Sequence, residues 1–206
     1  MSQSRPKLRL VPAVPESGPA LRAAPSAGDR SEGPAPLPPE TRELTLEVLY
    51  QDYAPYVGAV ASRLLGRAAE VEDVVQDVFT AAVHGLRRRE DALEIKGWLA
   101  KVTVRRCVRQ LRLRRLWRLV DLDAEPSYER LADPSAGPAE RRLVSEVYRA
   151  LDGVSANERV AWALRYVEGE SLEEVARLCD CSLATAKRRI SAAHEKIKER
   201  TSEERS

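Results

Sequence analysis

The chain has 206 residues, of which 43% are hydrophobic and 32% are charged, and its formal net charge is only +2. This length suits one ordinary domain or two small ones, and the composition is that of a soluble globular protein. No apolar run approaches the roughly 20 residues of a membrane span, and the N-terminus lacks a long apolar core, so we expect neither a membrane span nor a secretory signal.

The three cysteines do not form a metal site. Cys107, Cys179 and Cys181 lack zinc-type spacing, and neither His84 nor His194 completes a ligand set. We therefore expect free thiols in a reducing cytoplasm, and no metal or other cofactor.

Residues 1–42 are rich in Pro, Ala, Ser and Gly and have little periodic apolar surface. Because such a segment cannot bury enough apolar area to fold, we predict a disordered tail. Its basic start, with Arg5, Lys7 and Arg9, would suit an acidic partner, although a solvated tail is the favoured interpretation.

Residues 44–117 are predicted to be nearly continuous helix, because they are rich in Ala, Leu, Arg and Glu. The first helical segment, 44–66, contains Pro55, where we expect a bend. The second, 69–86, has apolar residues at spacings of three and four. After a polar interruption, the segment 97–117 predicts a third long helix.

The second segment begins with a cluster of carboxylates, of which Glu70, Asp73 and Asp77 share a face. Clustered carboxylates can hold Mg²⁺ for nuclease chemistry, but no nearby His, second acidic helix or Gly-rich loop completes such a site. A solvated patch favoured by the helix dipole is a second interpretation. We favour the third, a docking face for a protein partner.

The third segment is strongly basic. Between Arg87 and Arg118 twelve basic residues stand against three acidic ones, which leaves a local charge of +9. No acid interrupts the series after Lys101, and such a stripe suits salt-dependent contacts with phosphates. The residues predicted to contact nucleic acid are Lys101, Arg105, Arg106, Arg109 and Arg112.

Residues 119–139 contain three prolines and no clear periodicity, which predicts a linker between two helical domains. The second domain contains two S-x-x-E patterns that fit capping boxes at helix starts, Ser155 with Glu158 and Ser171 with Glu174.

The last helix is predicted to follow an N-cap at Ser182. Apolar residues recur from Leu183 to Ile197 at helical spacing, so they can dock on the preceding short helix. The tight turn between these helices, with small and basic residues facing outward after it, predicts a helix-turn-helix that enters the major groove. The residues predicted to bind duplex DNA are Ser182, Ala184, Thr185, Lys187, Arg188, Arg189 and Ser191.

Three motifs resemble the bacterial RNA polymerase sigma factors of the sigma-70 family, extracytoplasmic-function (ECF) type. The stretch E-V-E-D-V-V-Q-D-V-F resembles the acidic signature of that family, and G-W-L-A-K-V-T-V-R-R its basic helix. The block from Glu158 to Ile190 resembles the family's C-terminal helix-turn-helix. The three motifs have the family's order and separation, and the resemblance covers residues 49–118 and 143–198.

The resemblance implies an all-α fold of two small helical domains with a flexible linker and a disordered N-terminal tail. Region 2, a bundle of three to four helices, would occupy residues 43–118. The region 4 helix-turn-helix domain would occupy 140–200, after the 119–139 linker and before a C-terminal tail at 201–206.

The resemblance also implies the partners. The acidic helix would dock on the β′ clamp helices of core RNA polymerase. The β subunit of the polymerase is the second implied contact partner. The basic helix would engage the melted minus-ten element, and the helix-turn-helix would read the minus-thirty-five element as duplex. An anti-sigma factor would regulate the protein in the cytoplasm or at the inner membrane, and no small-molecule substrate or catalytic centre is implied. The residues implied in polymerase binding are Glu70, Glu72, Asp73, Gln76 and Asp77.

Two other classes of protein remain open from the residues alone. A stand-alone helix-turn-helix regulator would bind duplex DNA without polymerase, but it has no need for an acidic docking face. A metal-dependent nuclease would use the same carboxylates and would lose its activity on chelation of Mg²⁺.

Overall fold

A computed structural model describes residues 45–85, 92–118 and 128–203 of the chain. The predictions for the tail 1–42 and for most of the linker lie outside these residues. A short 3₁₀ turn, Glu129–Leu131, precedes the second half of the fold. The described part contains seven α-helices: α1 Leu46–Leu65, α2 Ala69–Gly85, α3 Ala92–Arg118, α4 Pro138–Leu151, α5 Ala156–Tyr166, α6 Leu172–Leu178 and α7 Leu183–Glu203.

The first three helices form a unit around a common apolar core. The N-cap Thr45 accepts a hydrogen bond from the Val48 amide at 3.3 Å, and α1 then continues through Pro55 to a left-handed C-cap at Gly66. The predicted apolar faces of α2 and α3 point into this core, although Val71 and Val75 are only half-buried. The α2 and α3 residues buried there include Val74, Val78, Phe79, Ala82, Val104, Cys107 and Leu111.

The predicted caps of α5 and α6 differ in outcome. At α5 the box is complete, because Ser155 accepts from the Glu158 amide at 3.3 Å and the Glu158 carboxylate accepts from the Ser155 amide at 2.9 Å. At α6 Ser171 accepts from the Glu174 amide at 3.1 Å, but the Glu174 carboxylate pairs with Arg177 at 2.7 and 2.5 Å. The second box is therefore only half formed, because the charged Arg177 is the stronger donor.

Part of the segment 119–139, which the sequence predicts to be a linker, is packed against the second half of the fold. Residues from Tyr128 onward pack against α4, and Tyr128, Leu131, Ala132 and Ala136 are buried. The Tyr128 hydroxyl donates to Asp152 at 2.5 Å. Burial of the Tyr128 ring with its hydroxyl hydrogen-bonded favours the packing of this segment. The sequence predicted a linker here because the segment contains three prolines and its apolar residues have no helical periodicity.

The two halves share a core, which the prediction of two linked domains did not anticipate. One cluster of buried side chains includes Leu49 and Leu64 of α1 together with Val160 and Leu164 of α5 and Val175 of α6. A second cluster lies between α4, α5, α7 and the segment around Tyr128. We call α1–α3 the first unit and the part from Tyr128 to Glu203 the second unit.

Candidate nucleic-acid and polymerase interfaces

The last helix has the predicted cap and most of the predicted core face. Ser182 accepts from the Thr185 amide at 3.2 Å and lies 2.9 Å from the Thr185 hydroxyl. Leu183, predicted to share the buried face, is instead 38% exposed, because it lies in the first turn, beyond the cover of α6. The buried residues of α7 are Ala186, Ile190, Ala193 and Ile197.

The outward face of α7 is small and basic. Ala184, Lys187, Arg188 and Ser191 are exposed and follow one another at helical spacing. Thr185 and Arg189, also predicted to bind DNA, are half-buried; Thr185 is held by Ser182. A continuous exposed face of this composition at the start of a helix suits insertion into the major groove.

The turn before α7 is closed by Asp180, which has a φ of 51°. Asp tolerates this left-handed conformation better than most residues. The Cys181 amide donates to the Ala176 carbonyl at 3.0 Å, so the turn is tight. Burial raises the pKa of the neighbouring Cys179 thiol to about 11, so this thiol stays protonated at neutral pH.

The basic stripe on α3 faces this turn. Lys101 Nζ lies 2.9 Å from Asp180 Oδ1, and Arg105 Nη2 lies 3.3 Å from Asp180 Oδ2. The hydrogen bond from Lys101, with the charges of Lys101 and Arg105, lowers the pKa of the Asp180 carboxyl. Further along, Arg109 is exposed, and Arg112 Nη2 donates to Asn157 Oδ1 at 3.4 Å. Part of the stripe is therefore in contact with the second unit.

The carboxylates of α2 divide into two groups. Glu72, Asp73, Gln76 and Asp77 are exposed, and Asp77 Oδ2 lies 3.3 Å from Arg106 Nη1 on α3, which is another predicted DNA residue.

Glu70, by contrast, turns inward. Its two oxygens accept from Arg114 Nε at 2.8 Å and from Arg114 Nη2 at 2.5 Å. Its side chain is largely buried, so the geometry does not match the exposed docking role predicted for it. Helical periodicity puts Glu70 on the same face of α2 as Asp73 and Asp77. At the first turn, however, that face meets the end of α3.

An apolar groove between α1 and α2 lies beside the exposed acids. Leu46, Tyr50 and Val83 on its walls are exposed, although they are large apolar residues. Its floor includes Phe79, whose ring centroid is 4.8 Å from that of Tyr50, and Glu72 lies at its rim. Sequence reasoning missed this groove, although outward apolar residues on an amphipathic helix are a sign of a binding surface.

Three arginines lie around the end of α1, and two of them, Arg63 and Arg159, bridge the two units by hydrogen bonds. Arg114 donates to the Leu65 carbonyl at 3.0 Å, and Arg159 donates to the Leu64 and Leu65 carbonyls at 3.0 and 2.7 Å. Arg63 pairs with Glu168. The last carbonyls of a helix have no partner within it, so the guanidinium groups of Arg114 and Arg159 satisfy them. The sequence showed these residues only as basic side chains.

No group of three or more metal-ligating side chains occurs within the described ranges. None of the helices in those ranges is long and apolar enough to cross a membrane. Cys107, Cys179 and Cys181 are free thiols, as predicted.

Comparison with known proteins gives matches over both units. Residues 49–118 match the family described as Sigma-70 region 2, and residues 145–197 match Sigma-70, region 4. The chain is 28% identical to the ECF RNA polymerase sigma factor EcfG of Rhodopseudomonas palustris, over 69% of this chain and 77% of that protein. It is 30% identical to the RNA polymerase sigma factor CarQ of Myxococcus xanthus, over 74% of this chain and 87% of that protein.

The fold is also similar to that of the sigma factor RpoE from Bartonella quintana, solved in complex with the anti-sigma factor NepR. The TM-score is 0.56 with 24% sequence identity, and the match covers 76% of this chain and 96% of that one. The segments that match the two families contain α2, α3 and most of α7, the helices that carry the three surfaces described above.

Proposed function

The chain belongs to the sigma-70 family of bacterial RNA polymerase sigma factors, in its ECF group, and on that premise we propose how its surfaces divide the work of promoter recognition. A sigma factor directs core RNA polymerase to promoter DNA and transcription initiation. This division of work rests on one observation. The chain has two separate basic surfaces, and it has one acidic surface beside an apolar groove.

The exposed face of α7 is assigned to the duplex minus-thirty-five element. Arg188 can donate to guanine in the major groove, and Lys187 can hold a phosphate. Ala184 and Ser191 are small enough to let the helix backbone approach the base edges. Thr185 and Arg189 serve this surface from its edge, because both are half-buried.

The α3 stripe is assigned to the melted minus-ten element. Arg105, Arg109 and Arg112 are exposed and form a line of charge along which a single strand can lie. Lys101 and Arg106 flank this line. Binding should depend strongly on salt, because each neutralised phosphate releases counterions.

The polymerase surface is assigned to Glu72, Asp73, Gln76 and Asp77 together with the apolar groove beside them. A protein interface combines a desolvated apolar centre with a polar rim, and this part of α1 and α2 offers both. The clamp helices of β′ are the proposed occupant, by resemblance to the family. Glu70 is left out of this surface, because its carboxylate is held by Arg114.

We further propose that the protein has no catalytic centre of its own and acts where core polymerase and genomic DNA are found, in the bacterial cytoplasm. An anti-sigma factor is the proposed regulator. The similarity of the fold to RpoE, which was solved with NepR, supports this proposal.

The test is to mix the purified chain with bacterial core RNA polymerase and with genomic DNA fragments. We expect a stable complex and, on a subset of fragments, permanganate-reactive thymines and run-off transcripts that depend on the chain. A complex without opening would overturn the assignment of α3 to melted DNA. Duplex binding without any polymerase complex would leave a stand-alone regulator.

A further inference from the structure

Helix α4 carries none of the three surfaces assigned above, but an open groove of about 690 Å³ lies along it. Three arginines line this groove, Arg141, Arg142 and Arg149. The acid Glu146 also lines it, so the lining keeps a positive charge. We propose that the groove is a binding site for a phosphate group, held by the three guanidinium groups and the hydroxyl of Ser145. The proposal does not depend on the function proposed for α2, α3 and α7.

Ser145 lies at the centre of this arginine cluster. Arg141 and Arg142 precede it by four and three residues and Arg149 follows it by four, so helical periodicity puts all of them on one face of α4. The serine lines the groove but is only 6% exposed, and its Oγ is buried without a hydrogen-bond partner among the described residues. A buried hydroxyl without a partner costs free energy, and a ligand that accepts its hydrogen bond removes that cost.

The charges of Arg142 and Arg149 are available to a ligand. Both side chains are exposed, and neither belongs to an ion pair within the described ranges. Arg177 on α6, by contrast, is held by Glu174 at 2.5 Å. Because a long exposed side chain changes its rotamer easily, Arg142 and Arg149 can move to admit an anion and then close on it.

Arg141 adds a donor whose direction is fixed. Its Nε donates to the Ala136 carbonyl at 3.0 Å, and its Nη2 donates to the Pro134 carbonyl at 3.0 Å. These two bonds hold the guanidinium group against the segment that precedes α4, and they do not use Nη1. A donor group that is already held in place loses little further freedom when a ligand binds.

The donors of the groove fit a phosphate better than a carboxylate. A phosphate group has at least one more acceptor oxygen than a carboxylate, and it carries up to two negative charges. The planar guanidinium fork matches the spacing of two phosphate oxygens, and the serine hydroxyl can donate to a third. Two sources have this chemistry, a small phosphorylated metabolite and the backbone of a nucleic acid. The experiments below distinguish them.

The first experiment is calorimetric titration of the full-length chain with inorganic pyrophosphate, at a constant ionic strength set by sodium chloride. We expect saturable binding, and Arg142→Gln and Arg149→Gln should each weaken it about tenfold, because each removes a charged donor. The matched control is Arg115→Gln, which removes the same charge from an exposed arginine of α3 and should leave the affinity within about twofold. Equal losses in all three variants, or no saturable binding at millimolar pyrophosphate, would overturn the site.

The second experiment uses Ser145→Ala to separate a role in binding from a role in packing. In the free chain the substitution removes a buried hydroxyl without a partner, so resistance to urea should stay the same or rise. The affinity for pyrophosphate should fall about threefold, because the bound anion loses one donor. Lower resistance to urea with unchanged pyrophosphate affinity would show a packing role and overturn the part of Ser145 in the site.

The third experiment identifies the source of the phosphate. Fluorescence anisotropy compares the parent chain with Arg149→Gln for binding of a mixed-sequence DNA duplex over a series of salt concentrations. If the nucleic-acid backbone occupies the groove, the affinity should fall on every duplex and the salt slope should decrease by about one. If a small metabolite occupies it, duplex binding should be unchanged while pyrophosphate binding is lost. A variant that keeps both affinities would overturn the proposal.

Discussion

Gly66 shows how much one residue at the junction of the two units can determine. It ends α1 with a φ of 75°, a conformation that glycine adopts without strain. A methyl group added there would lie 2.7 Å from Tyr128 Cε1 and 2.9 Å from Arg159 Nη2. The end of the first unit and the buried side chains of the second unit therefore meet at a position that admits no side chain.

We expect Gly66→Ala to lower the free energy of unfolding by about 2–4 kcal/mol, because left-handed strain and overpacking both act. Urea unfolding followed by circular dichroism measures this loss. The matched control is Gly137→Ala, where nothing lies within 4 Å of the added methyl and where we expect a loss below about 1 kcal/mol. Similar losses in both variants would contradict the close approach at Gly66.

A substitution of the single residue Arg188 tests whether the exposed face of α7 reads DNA. If it donates to a guanine, Arg188→Ala should weaken binding to the cognate minus-thirty-five duplex by about 1–3 kcal/mol. The loss on an unrelated duplex should be smaller. Fluorescence anisotropy with Lys198→Ala as control measures this, because Lys198 is exposed on the same helix but about 15 Å from Arg188 along its axis. Equal losses on both duplexes would indicate a phosphate contact.

Among the elements, α2 has carboxylates in two different environments along its length. Its first turn is tied to α3 through Glu70 and Arg114. Its middle presents Asp73 and Gln76 to solvent next to the apolar groove. We therefore propose two different roles for charge on this helix, which depend on the direction in which each side chain points.

We expect Asp73→Lys to weaken core polymerase binding by tenfold or more, or about 1.4 kcal/mol, because it reverses a charge in the proposed interface. Biolayer interferometry with immobilised polymerase measures the affinity, and circular dichroism checks that helicity is kept. Glu195→Lys, an exposed reversal on α7, serves as control. Unaltered affinity of the Asp73 variant would remove α2 from the interface.

Glu70→Gln should have the opposite profile. It removes the nearer carboxylate of the buried Arg114 and leaves Asp152 at 3.8 Å, so we expect a loss of stability of about 1–3 kcal/mol. The polymerase affinity of the folded fraction should stay close to that of the parent chain. A selective loss of polymerase affinity at full stability would return Glu70 to the docking surface.

For the whole molecule, the shared core predicts that the two units hold together without a covalent connection. A protease site placed within residues 119–127 would allow the chain to be cut between them. We expect the pieces to co-elute on size exclusion at low salt and to separate more readily in Arg159→Met, which removes the donors to the Leu64 and Leu65 carbonyls. Separate elution of the unsubstituted pieces at micromolar concentration would contradict a shared core.

Much of the fold followed from the sequence by itself. Helical segments in both units, the α5 capping box, the Ser182 cap and the outward face of α7 were all predicted, because each depends on residues three or four positions apart in the chain. The family was predicted from the resemblance of three local motifs. The α6 box departed from prediction because Arg177 of the same helix is a stronger donor to Glu174. Leu183 departed because it lies in the first turn of α7, beyond the cover of α6.

Only the tertiary structure decided which basic residues are available to DNA. Arg63 meets Glu168 across 105 positions of sequence, and Lys101 meets Asp180 across 79. Arg105 and Arg114 read alike in the sequence, yet one lies exposed beside the recognition turn and the other is buried on a helix end. Periodicity reports the face of a helix on which a side chain lies, whereas its partner depends on how the helices dock, and the docking arises from packing between residues far apart in the chain.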